Sequence, residues 1–227
     1  MNSNRKIISH KNNKYLKAWN KLSDKDKTNG AYFYSKEICN NMIPYIKTDR
    51  NWVTVRVKSF TPPEHSIVFI HNNLHLEWYD NLNPNEHDYI LVCGLPQTVE
   101  KLKEKFGDTN KIIYLPLSID VNYVKRFAQP KTKEVAFAGR QATRTRGNYE
   151  FAPNTDFVES LSHEDFLSTL AQYKKVYAIG RCALEAKALG CEILPFHPWF
   201  PDPEVWQVLD NVEAAKMLQK MIDEIDK

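Results

Sequence analysis

A cluster of arginines in the second half of the sequence has the composition of an anion-binding loop. In the stretch FAGRQATRTRG, Gly139 follows a short apolar run, and Arg140, Arg144 and Arg146 come within the next seven residues. Arginines spaced in this way after a parallel strand can clamp a diphosphate through bidentate hydrogen bonds. A basic loop that contacts only water is the alternative, and the motif alone does not decide between the two.

A second stretch, VYAIGRCALEAKALGCEIL, places Gly180, Arg181 and Glu185 between two apolar runs. The pattern predicts a short helix between two buried strands. In a parallel sheet such a helix begins at the carboxyl edge, where its dipole and backbone N–H groups favour a phosphate. Glu185 follows Gly180 by about 7.5 Å of helix, a spacing suited to a sugar hydroxyl. The alternative is a plain crossover in which Glu185 caps backbone groups.

The first half of the chain offers one candidate, His71, in the stretch IVFIHNNLHLEWYD. The residue ends an apolar run, and an imidazole at that edge could bond an acceptor hydroxyl or the transferring sugar. A histidine satisfied by a backbone carbonyl is the alternative. His71 and His75 would need a helix and further ligands to bind zinc, so we expect no metal site.

Parallel strands must position these side chains, and the sequence predicts two series of them. Runs rich in Val, Ile and Tyr predict buried strands at 52–57, 66–72, 88–94 and 111–117. Before the last of these, the sequence predicts a helix with Thr98 as its N-cap and Gly107 as its stop.

The second series predicts more strands and helices in alternation, which is typical of βαβ units. Ser162 with Glu164 or Asp165 marks a helix start. The predicted strands are 135–139, 155–160, 175–179 and 191–196, and the predicted helices are 163–173, 180–190 and 204–225.

The two series are separated by the polar segment AQPKTKE at 128–134. We therefore predict an α/β protein of two Rossmann-like lobes with parallel sheets. The acceptor-side lobe comprises residues 1–128, and a nucleotide-sugar-binding lobe comprises residues 129–227. The lobes are expected to meet at a cleft with Glu185 and Arg140 on its wall.

The composition limits the classes of protein to consider. With 227 residues, 42% hydrophobic and 26% charged, the chain has the composition of a globular domain, which excludes disordered and fibrous classes. A net charge of +3 suits anionic ligands but is too small to argue for nucleic acid. No window approaches the roughly 18 apolar residues of a membrane span, so we expect a cytoplasmic protein. The four cysteines show no metal or CxxC spacing, which favours reduced core thiols.

Taken in order, three segments between residues 111 and 225 resemble the donor half of the GT-B glycosyltransferases related to glycogen synthase and sucrose synthase. That family carries a PNGIDxxxF segment, a GR…KG loop and an E-G-F-G…LEAMA-G-P segment. The corresponding segments here are LPLSIDVNYVKRF, VAFAGRQATRTRG and SHEDFLSTLAQYKKVYAIGRCALEAKALGCEILPF.

This resemblance implies specific roles for the candidate residues. It implies that Arg140 and Arg146 contact the donor diphosphate, that the backbone of Gly180 approaches the phosphates, and that Glu185 holds the donor ribose. The chain departs from the family at Tyr177, where a first glutamate is expected, and at Arg146, which replaces a lysine. Its acceptor lobe is also shorter than is usual in the family.

The implied activity is the transfer of a sugar from a nucleotide diphosphate sugar to an acceptor hydroxyl, with retention of configuration and no metal or other cofactor. Arg140, Arg144 and Arg146 would stabilise the departing diphosphate. The acceptor, a sugar, a small molecule or modified DNA, is left open. One alternative is a phage-type DNA-base glycosyltransferase, which the basic first 30 residues permit. The other is a non-catalytic nucleotide-sugar-binding or interaction module, which Tyr177 and the short chain suggest.

Overall fold

The computed structural model is an α/β protein with two parallel sheets. The residues that it describes are 7–9, 41–55, 61–70, 76–139, 151–159, 161–195 and 202–227. The described residues divide into two compact units, one comprising those up to 116 together with 212–227, and the other residues 117–211. The predicted α/β class with parallel sheets is therefore confirmed. Within the described part of the chain, no helix has both the length and the apolar composition that crossing a membrane requires.

The sheet of the first unit has five strands in chain order. They are β1 (Ile7–Ser9), β2 (Asn51–Val55), β3 (Ser66–Ile70), β4 (Tyr89–Cys93) and β5 (Ile112–Tyr114). Every residue of β3 and β4 is buried, as continuous apolar runs require when both faces of a strand are covered. The four strands predicted for this region are confirmed, whereas β1 was not predicted.

Helix α1 (Pro96–Phe106) packs against this sheet through Leu102, which is fully buried with Val68 and Leu91. The N-cap is Leu95, so the prediction of Thr98 as N-cap is wrong. Pro96 accounts for the earlier start because its fixed φ suits the first helical position and its missing N–H costs nothing there. Gly107 ends the helix as predicted.

The second unit holds the four-stranded sheet. Its strands are β6 (Lys133–Ala138), β7 (Asp156–Val158), β8 (Tyr173–Tyr177) and β9 (Glu192–Leu194), in the spatial order β7-β6-β8-β9. Its helices are α2 (Val121–Lys125), α3 (His163–Leu170) and α4 (Arg181–Ala188). The side chain of Ser162 accepts a hydrogen bond from the backbone N–H of Asp165, which confirms the predicted start of α3.

The last helix, α5 (Asn211–Ile225), lies almost wholly in the first unit. Within that unit its carboxyl end is tied to the amino ends of two strands, because buried Arg50 contacts both Asp226 at 2.7 Å and Asp88 at 2.9 Å. In the second unit, α2 packs against α4. The division of the chain by its contacts thus falls after residue 116, whereas the sequence pattern places the boundary at 128/129.

Candidate functional site

The second sheet reverses its strand order at β6, which has β7 on one side and β8 on the other. The chain leaves β6 in one direction and later returns to its opposite side, so the loops after β6 and β8 diverge. Ligands of α/β sheets bind in the crevice outside the carboxyl ends of strands at such a switch point. The described strands of the first sheet follow chain order and show no such reversal.

A glycine follows each of the two strands at the switch point, and the backbone requires both. Gly180 has φ +59° and ψ −135°, a conformation that other L-residues rarely adopt. Gly139 has φ +155°, and a Cβ at this position would lie 3.3 Å from the ring of Phe137. The glycines therefore allow the chain to turn sharply at the edge where a ligand is expected.

Gly180 is the N-cap of α4, and among the described residues no side chain caps that helix end. Its carbonyl accepts the first helical hydrogen bonds, from the backbone N–H groups of Ala183 and Leu184. The first turn of α4 carries no acidic side chain. The positive end of the helix dipole thus lies at the carboxyl edge of β8, where it favours an anion.

Glu185 lies one turn into α4 and is 2% exposed. Its Oε1 accepts a hydrogen bond of 2.6 Å from Nε of Arg181 on the same helix. The same oxygen lies 2.8 Å from Nε2 of His163, the first residue of α3. Because α3 follows β7 and α4 follows β8, both helices begin at the carboxyl edge of the sheet, and the three side chains meet there.

The charge state of Glu185 follows from its surroundings. Burial raises the pKa of the Glu185 carboxyl, but the charge of Arg181 and the hydrogen bonds from His163 and Arg181 outweigh burial and hold the pKa below its ordinary value. An ionised carboxylate only accepts hydrogen bonds, so Nε2 of His163 carries the proton. No described residue makes a hydrogen bond to Oε2 of Glu185, the oxygen that can accept a further one.

An aromatic stack fixes the imidazole of His163. The ring of Tyr123, on α2, lies nearly parallel to it at 5.8 Å between centroids. The guanidinium of Arg126 lies 4.6 Å from the centroid of the same tyrosine ring. The tyrosine hydroxyl donates to Glu164 at 3.2 Å, which ties α2 to α3.

Tyr177, the last residue of β8, occupies the position where the resemblance implies a first carboxylate. Its hydroxyl accepts a hydrogen bond from the backbone N–H of Ala152 at 3.2 Å. Its ring packs edge-on against Phe151 at 5.2 Å. The position therefore contributes an aromatic side chain in place of a second acid.

Only some of the residues predicted for this site lie in the described part of the chain. Gly139, Gly180, Arg181 and Glu185 all lie at the carboxyl edge of the second sheet. The predicted His71, Arg140, Arg144 and Arg146 lie outside the described residues, so their roles stay predictions. Sequence reasoning missed His163, since its neighbours suggested only a helix start, although its place at the first turn after β7 was a usable signal.

No protein-family model, no curated protein and no solved structure matches this chain. The ligand of the site is therefore inferred from its residues and their geometry.

Proposed function

We propose that the protein is a glycosyltransferase that moves a sugar from a nucleotide diphosphate sugar to an acceptor hydroxyl. The observation that carries this proposal is the strand order β7-β6-β8-β9, in which Gly139 and Gly180 follow the two adjacent strands at the reversal. The crevice at such a reversal is where sheets of this kind bind nucleotides. Support also comes from the order of the three motifs that resemble the GT-B donor half.

The donor diphosphate lies against the amino end of α4 in this proposal. Arg140 and Arg146, aided by Arg144, contact its oxygens, and the dipole of α4 adds to their field. Glu185 accepts a hydrogen bond from the donor ribose through Oε2. This arrangement suits a nucleotide because positively charged groups face the diphosphate and a hydrogen-bond acceptor faces the ribose hydroxyls.

The reaction breaks the bond between the anomeric carbon and the diphosphate oxygen and forms a bond from that carbon to the acceptor oxygen. The nucleoside diphosphate leaves with the bonding electrons and takes up the proton that the acceptor hydroxyl loses. The arginines and the helix dipole stabilise the negative charge that grows on the leaving group. His71 is the residue proposed to bond the acceptor hydroxyl or the transferring sugar.

A thermal-shift panel of UDP, GDP, ADP, CMP and their sugars tests the donor site. A ligand that binds only the native protein, at about 100 times its Kd, adds roughly 2.7 kcal/mol to the free energy of unfolding. We expect one nucleoside diphosphate and its sugar to raise the melting temperature. A panel in which no nucleotide raises it contradicts the proposal.

Release of nucleoside diphosphate from the stabilising donor then tests catalysis, first with water and afterwards with candidate acceptors. A donor that binds but releases no product under any of these conditions favours the non-catalytic module. Salt-dependent binding to duplex DNA favours the DNA-base alternative, since phosphate contacts release counterions.

A further inference from the structure

We propose that His163 is a positioning residue for the nucleotide, which together with Arg181 fixes the Glu185 carboxylate so that Oε2 accepts hydrogen bonds from the ribose hydroxyls. This inference rests on the proposed function. It specifies that the side chains at the starts of α3 and α4 recognise the ribose of the nucleotide.

The two oxygens of the Glu185 carboxylate have different contacts, and this difference supports the proposed role of His163. Both Arg181 and His163 contact Oε1, at 2.6 Å and 2.8 Å, so its two lone pairs are used. Rotation of the carboxylate would break both hydrogen bonds at once. Glu185 therefore has one orientation, in which Oε2 is the oxygen without a hydrogen bond from the described residues.

The accessibility of that remaining oxygen supports a contact with a ligand. The Glu185 side chain is 3% exposed, and those of Arg181 and His163 are 12% and 17% exposed. Oε2 is nevertheless not one of the fully buried side-chain atoms without a hydrogen bond in the described residues, so it retains some accessible surface. A ligand can therefore donate a hydrogen bond to Oε2, and the vicinal hydroxyls of ribose are such donors.

The rest of the cluster restrains His163. Its ring is stacked on Tyr123, which lies against Arg126, so α2 restricts the plane of the imidazole. The Nε2–H bond is thereby aimed at Oε1. Neutralising the charge of Glu185 needs only Arg181 and no stacked imidazole. Holding the Glu185 carboxylate in one orientation does need an imidazole whose own plane is restricted.

The experiment compares ribonucleotides with analogues that lack the ribose hydroxyls. UDP, GDP and ADP are each titrated by calorimetry against the corresponding 2′,3′-dideoxy nucleotide, and inorganic pyrophosphate is titrated as a probe of the phosphate site. The ratio of the two nucleotide affinities measures ribose recognition. In the parent protein we expect a preference of roughly tenfold or more for the ribonucleotide, the size expected of a charge-assisted hydrogen bond.

His163→Ala should lower that preference about threefold or more and leave pyrophosphate affinity unchanged. The reason is that Arg181 by itself still neutralises Glu185 but does not hold the carboxylate in one orientation. His163→Gln, whose amide can donate to Oε1, should retain most of the preference. His163→Leu fills the space without a donor and replaces the alanine variant if that variant does not fold. His87→Ala is the matched control, since His87 contacts Glu64 at 2.7 Å in the first unit, and it should change nothing.

Each other outcome overturns a specific statement. A parent protein that binds no nucleoside diphosphate overturns the proposed function and this inference with it. A parent protein that binds ribo- and dideoxynucleotides equally well overturns the inference alone. The inference also fails if the alanine or leucine variant keeps the full ribose preference, or if pyrophosphate affinity falls in parallel with nucleotide affinity.

Discussion

At the scale of single residues, the contacts of Glu185 differ from the backbone capping that the sequence offered as the alternative to ribose binding. Its partners are the side chains of Arg181 and His163, which both contact Oε1. The residue therefore holds α3 against α4 and still has an oxygen that can contact a ligand.

Glu185→Gln should lower both stability and affinity for the nucleoside. The substitution keeps the shape but leaves the charge of the largely enclosed Arg181 uncompensated, so we expect a loss of about 3 kcal/mol in the free energy of unfolding. Glu192→Gln, at an exposed position paired with Lys175, is the control and should be neutral within about 0.5 kcal/mol. Urea denaturation measures the stability and calorimetry measures the affinity. An unchanged nucleotide affinity in folded Glu185→Gln excludes the ribose role.

The pH dependence of stability provides a separate check of the Glu185 contacts. The pKa of Glu185 in the folded protein lies below its ordinary value of 4.5, so its contribution is fully present above about pH 4.5 and is lost as pH falls through the folded pKa. The stability difference between the parent protein and Glu185→Gln should therefore shrink as pH falls below about 4.5. A difference that does not shrink in this range contradicts the assignment.

Arg140 and Arg146 belong to the same scale, and their roles remain predictions. Arg140→Ala and Arg146→Ala should each weaken binding of the nucleoside diphosphate by about 1.5–3 kcal/mol, because each removes a charge-assisted hydrogen bond. Melting temperatures should change little. An arginine whose variant binds the diphosphate as tightly as the parent protein belongs to a loop that contacts only water.

At the scale of elements, one lysine ties together the far ends of the two helices that form the site. Nζ of Lys131 donates to the carbonyls of Ala171 and Leu189, each at 2.8 Å. These are the C-cap residues of α3 and α4. A cation at the negative ends of two helix dipoles is favourable, so Lys131 is expected to stabilise the ends of both helices.

Lys131→Met should lower the free energy of unfolding by about 1–3 kcal/mol, since it keeps most of the aliphatic stem but removes two charged hydrogen bonds to helix ends. Lys174→Met is the control, because Lys174 pairs with Glu134 on the surface and such pairs contribute about 0–1 kcal/mol. Chemical denaturation of both variants measures the difference. Equal losses in the two variants would mean that the helix-end contacts add nothing.

At the scale of the whole molecule, residues 212–227 belong to the same unit as strands β1 to β5. Arg50 and Asp226 are 176 residues apart in sequence, yet their side chains form three hydrogen bonds at 2.7, 3.1 and 3.3 Å. On α5, Ala214, Ala215 and Leu218 are fully buried. Residues 212–227 therefore contribute part of the core of the first unit.

Leu218→Ala should cost about 2–5 kcal/mol of stability, because it removes a side chain with no exposed surface and leaves a cavity. The neighbouring Met217, 38% exposed, provides the control, and Met217→Ala should change stability by no more than about 0.5 kcal/mol. Thermal and urea unfolding report both values. A Leu218→Ala protein as stable as its control would mean that α5 contributes little to the first unit.

The sequence by itself determined the α/β class, eight of the nine strands found in the described residues, and the start of α3 at Ser162. These features depend on the alternation of apolar runs and on capping residues, which act over a few neighbouring positions. The wrong N-cap at Thr98 was also a local error, because the helix begins at Pro96, two residues earlier. Gly139 and Gly180 were found for the same reason, because each follows an apolar run within its own segment.

Only the tertiary structure decided the order β7-β6-β8-β9, the meeting of His163 with Glu185 and the return of α5 to the first unit. Each of these joins residues that are distant in sequence, from 22 positions for His163 and Glu185 to 176 for Arg50 and Asp226. Such pairings depend on how strands and helices pack, and no local pattern encodes them. The same packing buries Glu185, so its carboxylate depends on the contacts with Arg181 and His163 in place of water.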